Sequence, residues 1–205
     1  RILSPIKEGA HAFLGLEKEL PIIFILGGSQ GAQVLNDAIL RALPELVKEY
    51  QVIHQTGEKN IENVESLARV TLGDGPNTKR YKPFPYLREN ALRMAAGASS
   101  LVISRSGSGI FEIAAWGLPS ILVPIPEEIS RDQRMNAFSY ARSGAAHVIE
   151  QKNLSPNIIV SEVQRISEDP KLYQSMQKDT ENFRRPDAAR TIARELVRIS
   201  LSHTN

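Results

Sequence analysis

The chain contains no cysteine, which excludes a disulfide framework and any thiolate-held metal and fits a reducing compartment. An excess of one charge is also missing. With 25 Lys and Arg against 23 Asp and Glu the net charge is only +2, so there is no strong electrostatic case for nucleic acid as a partner. No apolar run approaches the roughly 20 residues that span a bilayer, and no signal peptide is evident. Neither an Asp-x-Asp pair nor a histidine cluster marks a metal site, since His11, His54, His147 and His203 are scattered. Repeats and low-complexity stretches are absent too. What remains is an ordinary composition, 41% apolar and 23% charged over 205 residues, enough for one domain with a sizeable core. The first residue is Arg1 rather than methionine, so the expectation is a fragment of a longer protein.

Strand-like apolar runs at residues 22–26, 51–55, 80–84, 101–104, 120–123 and 146–149 alternate with helix-like stretches at 32–49, 58–69, 87–98, 109–116 and 131–143. Nearly continuous apolar strands separated by helices predict an α/β, doubly wound parallel sheet of Rossmann-like type. Ligands of such sheets bind at the carboxyl ends of the strands. After Glu150 the strand signals stop, and residues 156–167, 170–182 and 186–202 predict three extra C-terminal helices, two with proline near the first turn. Residues 1–20, with Pro5, Gly9 and Gly15, read as a linker or entering segment.

Three segments carry candidate site chemistry. The first is the sequence PIIFILGGSQGAQVLN, a strand, a glycine turn at 27–31 and a helix start. Unpaired amides of a first helical turn, the helix dipole and the absence of a Cβ favour a phosphate there. The glycines match neither G-x-G-x-x-G nor the Walker pattern, so the turn names no particular anion, and a plain chain reversal explains it as well. The second is SRSGSG at 104–109, where Arg105 could reach a phosphate or remain a solvated loop residue. Glu112 follows, either as a carboxylate favoured by the helix dipole or as an acceptor for ribose hydroxyls. The third is SRDQRMN at 130–136. Asp132, Gln133 and Asn136 suit sugar hydroxyls, while capping by Ser130 and Asp132 is the plainer explanation. His54 has no evident partner in the sequence and reads as structural. Trp116 and Phe111 read as packing their helix against the sheet. The basic run from Arg184 to Arg198 reads as a solvated amphipathic face that could also meet an acidic membrane surface.

Taken together, GGSQGA, HQTG, VISRSGSGIFEIAAWGLPSILVP, DQRMNA, SGAA and RPDAAR, in this order, resemble the C-terminal half of the MurG family of bacterial N-acetylglucosamine transferases. The resemblance implies the donor-binding C-terminal domain of a GT-B type glycosyltransferase over residues 21–182. The helix at 183–205 would pack toward an N-terminal half that these residues lack. It implies an inverting, metal-independent enzyme that moves N-acetylglucosamine from UDP-N-acetylglucosamine to an undecaprenyl-linked acceptor, lipid I, giving lipid II for peptidoglycan. It would work at the cytoplasmic face of the inner membrane, without a cofactor, and with no catalytic base in this half. By the same resemblance Gly28, Ser29, Gln30 and Gly31 hold the diphosphate, and Leu87 meets the uracil through its backbone. Arg105, Ser106, Gly107, Ser108, Gly109, Ile110 and Phe111 approach the diphosphate and sugar, Glu112 takes the ribose hydroxyls and Gln133 reads the sugar. The segment departs from the family pattern in a shorter turn before Glu112, and in Arg131-Asp132-Gln133 where a histidine is usual. Extra residues also occur around 83–90. The alternative is a stand-alone donor-binding subunit that pairs with a separate membrane-anchored subunit. A dinucleotide oxidoreductase is disfavoured by the missing G-x-G-x-x-G.

Overall fold

The computed structural model describes residues 4–27, 32–184 and 187–202. Among these, six strands form one parallel sheet: β1 (Ile22–Leu26), β2 (Gln51–Gln55), β3 (Tyr81–Phe84), β4 (Leu101–Ser104), β5 (Ser120–Leu122) and β6 (Ala146–Val148). Their spatial order is β3-β2-β1-β4-β5-β6, with Ile23 opposite Val52 on one side and Leu101 on the other. After β3 the chain crosses back to lay β4 beside β1, so the order reverses between these two strands. That reversal is the switch point at which open α/β sheets bind ligands. The doubly wound fold expected from the sequence is therefore observed.

Side chains alternate faces along each strand. Ile23 and Ile25 join one core cluster, whereas Ile22 and Phe24 join the other. On the first face lie α2 (Gln33–Glu49), α3 (Ile61–Leu72) and α7 (Pro156–Ser167), through Leu35, Ile39, Leu43, Val64, Ile159 and Val163. The second face is covered by α1 (Ala10–Leu14), α4 (Glu89–Ala98), α5 (Ile110–Trp116) and α6 (Arg131–Ala141). Because both faces are dry, the strands read as unbroken apolar runs. Trp116 stacks on Phe24 at 6.3 Å and does pack α5 on the sheet. Phe111 does not. It sits in the first turn of α5, 43% exposed, and stacks instead on Phe183 at 5.3 Å.

The helices after the sheet follow their capping signals. Asp169 Oδ1 accepts the Lys171 and Leu172 amides at 2.9 and 3.0 Å, with Pro170 opening α8 (Pro170–Phe183). Ser155 caps α7 through the Ile158 amide in the same way. The last helix, α9 (Ala188–Ser202), is different: every side chain described from 188 to 201 is exposed.

Residues 4–20 are docked, not free. The Ile6 amide donates to the Arg93 carbonyl at 2.9 Å and Arg93 Nε returns to the Ser4 carbonyl at 2.8 Å. Gln51 completes the attachment by bonding the Glu17 amide and carbonyl, both at 2.8 Å. A Cβ on Gly97 in α4 would fall on the Ile6 carbonyl, so glycine is what lets the segment cross α4 at this distance.

Candidate functional site

The site grows from the carboxyl ends of β1, β2, β4 and β5. Gly27 ends β1, and its amide donates to the Gln55 carbonyl at 3.2 Å. A Cβ on Gly27 would stand 2.9 Å from the Gln55 oxygen and 3.3 Å from the Ala32 nitrogen, so packing alone demands glycine at that position. Gly28, Ser29, Gln30 and Gly31 lie outside the described residues.

Just behind this turn, a buried polar network fixes the start of α2. The imidazole of His54 meets the Tyr81 hydroxyl through Nδ1 at 2.8 Å and Asn36 Oδ1 through Nε2 at 3.0 Å. Asn36 Nδ2 donates to the Thr56 carbonyl at 3.0 Å. That bond fixes Oδ1 as an acceptor, so His54 carries its proton on Nε2 and accepts from Tyr81 on Nδ1. Burial without a nearby acid pushes the imidazole down to about 3, so it is neutral. His54 is thus structural, as its sequence context suggests, and its partners are 18 and 27 positions away.

The second turn leaves β4 at Arg105. Its guanidinium reaches across to the end of β5, where Nη1 donates to the carbonyls of Val123 and Pro124 at 3.0 and 3.4 Å. Burial lowers its pKa from the ordinary value, and Nε is buried with no partner among the described residues. The cation therefore braces two strand ends while its buried Nε donor stays unspent among the described residues. Beyond it the amides of Ile110, Phe111 and Glu112 are committed to the carbonyls of Gly107, Ser108 and Gly109 at 3.3, 3.2 and 3.0 Å. The amides of Gly107, Ser108 and Gly109 donate to nothing among the described residues. Neither Gly107 nor Gly109 has a positive φ. A Cβ on Gly109 would meet nothing within 4 Å, and one on Gly107 only Gln133 Nε2 at 4.0 Å. Internal packing does not demand glycine there; clearance in front of the turn is what the two residues provide.

Ile110 is fully buried in the core, so only its backbone belongs to the turn. Glu112 is half-buried in the first turn of α5, and its carboxylate makes no hydrogen bond to another described residue. Gln133 enters from the first turn of α6, with Oε1 buried and without a partner among the described residues. Ser130 makes no side-chain capping bond, so the capping explanation of this segment finds no support at that residue. Leu87 stands apart, on the far side of β1. Its side chain is buried, and its amide is taken by Gln55 Oε1 at 3.0 Å.

Arg105, residues 106–109 and Gln133 are thus brought together, with Glu112 one turn away. Missing from the sequence-based candidates are Asn36, Gln55 and Tyr81, which hold other parts in place. Their signal is weak: polar residues in or beside apolar strands and in a helix's first turn, where burial forces a partner. Two grooves lie on the β5–β6 side of the sheet, one of about 660 Å³ lined by Phe138, His147, Ile158, Glu162 and Arg165 among others, the other running from Pro124, just after β5, to Arg134 and Glu150. Neither contains any sequence-predicted site residue. Among the described residues no group of three or more His, Cys, Asp or Glu could hold a metal, and no helix is long and apolar enough to cross a membrane.

Comparison with known proteins places this geometry. Residues 22–192 match the model of the glycosyltransferase family 28 C-terminal domain. A UDP-N-acetylglucosamine–N-acetylmuramyl-(pentapeptide) pyrophosphoryl-undecaprenol N-acetylglucosamine transferase from Treponema denticola is 36% identical over 156 residues, which are 75% of this chain and 40% of the relative. A Bacillus cereus protein with the same name, numbered 2, is 32% identical over 197 residues, 95% of this chain and 52% of its own length. The crystal structure of MurG from Acinetobacter baumannii superposes with a TM-score of 0.72 at 23% identity, covering 91% of this chain and 52% of that one. The chain spans about half the length of the curated relatives it matches. It belongs to the glycosyltransferase family 28 C-terminal domain family.

Proposed function

We propose that, as a member of this family, the chain is the donor-binding half of an N-acetylglucosamine transferase that uses UDP-N-acetylglucosamine. The observation that carries the reading is the name shared by the curated relatives, at 32 to 36% identity across most of this chain. The chemistry at the carboxyl ends of β4 and β5 supports it. In this reading the free amides of residues 107–109, together with the unspent Nε of Arg105, face the diphosphate and stabilise the charge that builds on the leaving UDP. Residues 28–31, which lie outside the described residues, hold the same group in this reading. Glu112 accepts the ribose hydroxyls, and Gln133 offers its unpartnered amide oxygen to a sugar hydroxyl. Leu87, whose amide is already spent, keeps only its carbonyl for a uracil.

The whole transferase then carries the sugar to an undecaprenyl-linked acceptor with inversion and without a metal. It does so at the cytoplasmic face of the membrane, the acceptor and the general base being held by another half. This chain alone binds donor and transfers nothing. Glu112→Ala tests the assignment. The loss of charge-assisted hydrogen bonds to the ribose should weaken UDP by roughly ten- to a hundredfold while inorganic diphosphate is nearly unaffected. Equal losses for both ligands in calorimetry would refute the ribose role.

A further inference from the structure

We infer that Ser106 and Asn136 are positioning residues for sugar discrimination: together they clasp the β4–α5 turn to α6 and so set the Gln133 amide over Gly107. The inference rests on the donor-binding reading above. Ser106 is fully buried, so its hydroxyl is not itself a ligand contact. Its Oγ donates to the Gln133 carbonyl at 2.7 Å. Asn136, about one turn further along α6, donates from Nδ2 to the Ser106 carbonyl at 3.2 Å. One bond runs from turn to helix and the other from helix to turn. Neither segment can slide along the other without breaking one of them.

Gln133 stands beside this clasp. Its backbone is held by Ser106, its Nε2 lies 4.0 Å from the Cβ position of Gly107, and its Oε1 is buried without a partner. A buried acceptor left unpaired costs free energy that a donor can recover, and a ligand hydroxyl above the turn is such a donor. A site arranged to bond a hydroxyl rejects analogues that lack it, because the buried acceptor then stays unpaired. Discrimination of that kind depends on where the acceptor sits, which is what the clasp determines. Asn136, a candidate sugar-reading residue by type, has its donor group committed inside the protein and acts through Gln133.

The test titrates UDP-N-acetylglucosamine and UDP by calorimetry into the intact chain and into Gln133→Ala, Asn136→Ala and the double variant. The readout is the ratio of the two dissociation constants, in which any loss of folded protein cancels. Asn136→Ala should shift the ratio against the sugar nucleotide roughly tenfold, the factor one lost hydrogen bond is worth, with UDP itself changed by no more than about twofold. Gln133→Ala should give the same shift, and the double variant no more than either alone. Should Asn136→Ala fail to fold, Ser106→Ala removes the other bond and carries the same expectation. An unchanged ratio, or shifts that add in the double variant, would overturn the inference while leaving the donor-binding reading intact. A wild-type chain that binds neither nucleotide would defeat that reading, and this inference with it.

Discussion

His54 is a framework residue, as its place in the sequence suggests. Its imidazole is enclosed, satisfied on both nitrogens, and pushed by burial to about 3. The folded-state value lies below the ordinary 6.5, so the unfolded chain takes up this proton first as pH falls. The stability that neutral His54 contributes is therefore complete above about pH 6.5 and erodes as pH drops toward about 3. The slope from this one group is about 1.4 kcal/mol per pH unit. Urea unfolding of the wild type and of His54→Gln, each at several pH values in that window, measures it: the variant should have the shallower acid dependence. Parallel curves would mean that His54 titrates normally in the folded chain. Arg105 shows the complementary case, a cation braced by two carbonyls rather than by an acid. Its sequence context allowed both a phosphate ligand and a loop residue, and the structure gives it a bracing role with its buried Nε left without a partner among the described residues.

Among the elements, β1, β2 and β4 occupy the residues that their apolar runs mark, because strands covered on both faces leave little ambiguity. The differences arise where a polar side chain reaches across the fold. The helix expected from Leu87 begins at Glu89, since the Leu87 amide turns back to Gln55. The strand expected from Arg80 begins at Tyr81, because Arg80 closes a tight turn and bonds the Val47 and Lys48 carbonyls, both at 2.9 Å. The helix expected from Glu58 begins at Ile61, after Gly57 turns the chain at φ 92°. Partners tens of residues away cannot be read from local periodicity, and the clasp of Ser106 with Gln133 and Asn136 was hidden for the same reason. Sequence composition marked residues 1–20 as a linker or entering segment without showing where they lie; Gly97 lets residues 4–7 lie on α4. Gly97→Ala should lift that segment and destabilise the chain by about 1–3 kcal/mol, as overpacking does. Amide exchange would report it as faster exchange at Ile6 together with a lower urea midpoint. Unchanged protection at Ile6 would show that the crossing has room to spare.

For the molecule as a whole, the parallel sheet and the turn after β4 were legible in the sequence because glycine, proline and apolar runs punctuate a parallel α/β fold so plainly. The partition of labour within the site was not. Residues of similar type differ in their constraints: Gly27 is required by packing, while a Cβ at Gly107 or Gly109 would meet no closer contact than 4.0 Å. The chain spans about half the length of the relatives it matches. At its end α9 presents Ile192, Leu196, Val197, Ile199 and Leu201, each at least 45% exposed. The donor binding proposed here uses the carboxyl edge of the sheet. The most direct measurement is therefore a calorimetric titration of the intact chain with UDP-N-acetylglucosamine, UDP and NAD in parallel. The expected result is binding of UDP-N-acetylglucosamine with UDP alone supplying most of the free energy, and little or no binding of NAD. Absence of UDP binding, or NAD bound as well as UDP, would contradict the assignment.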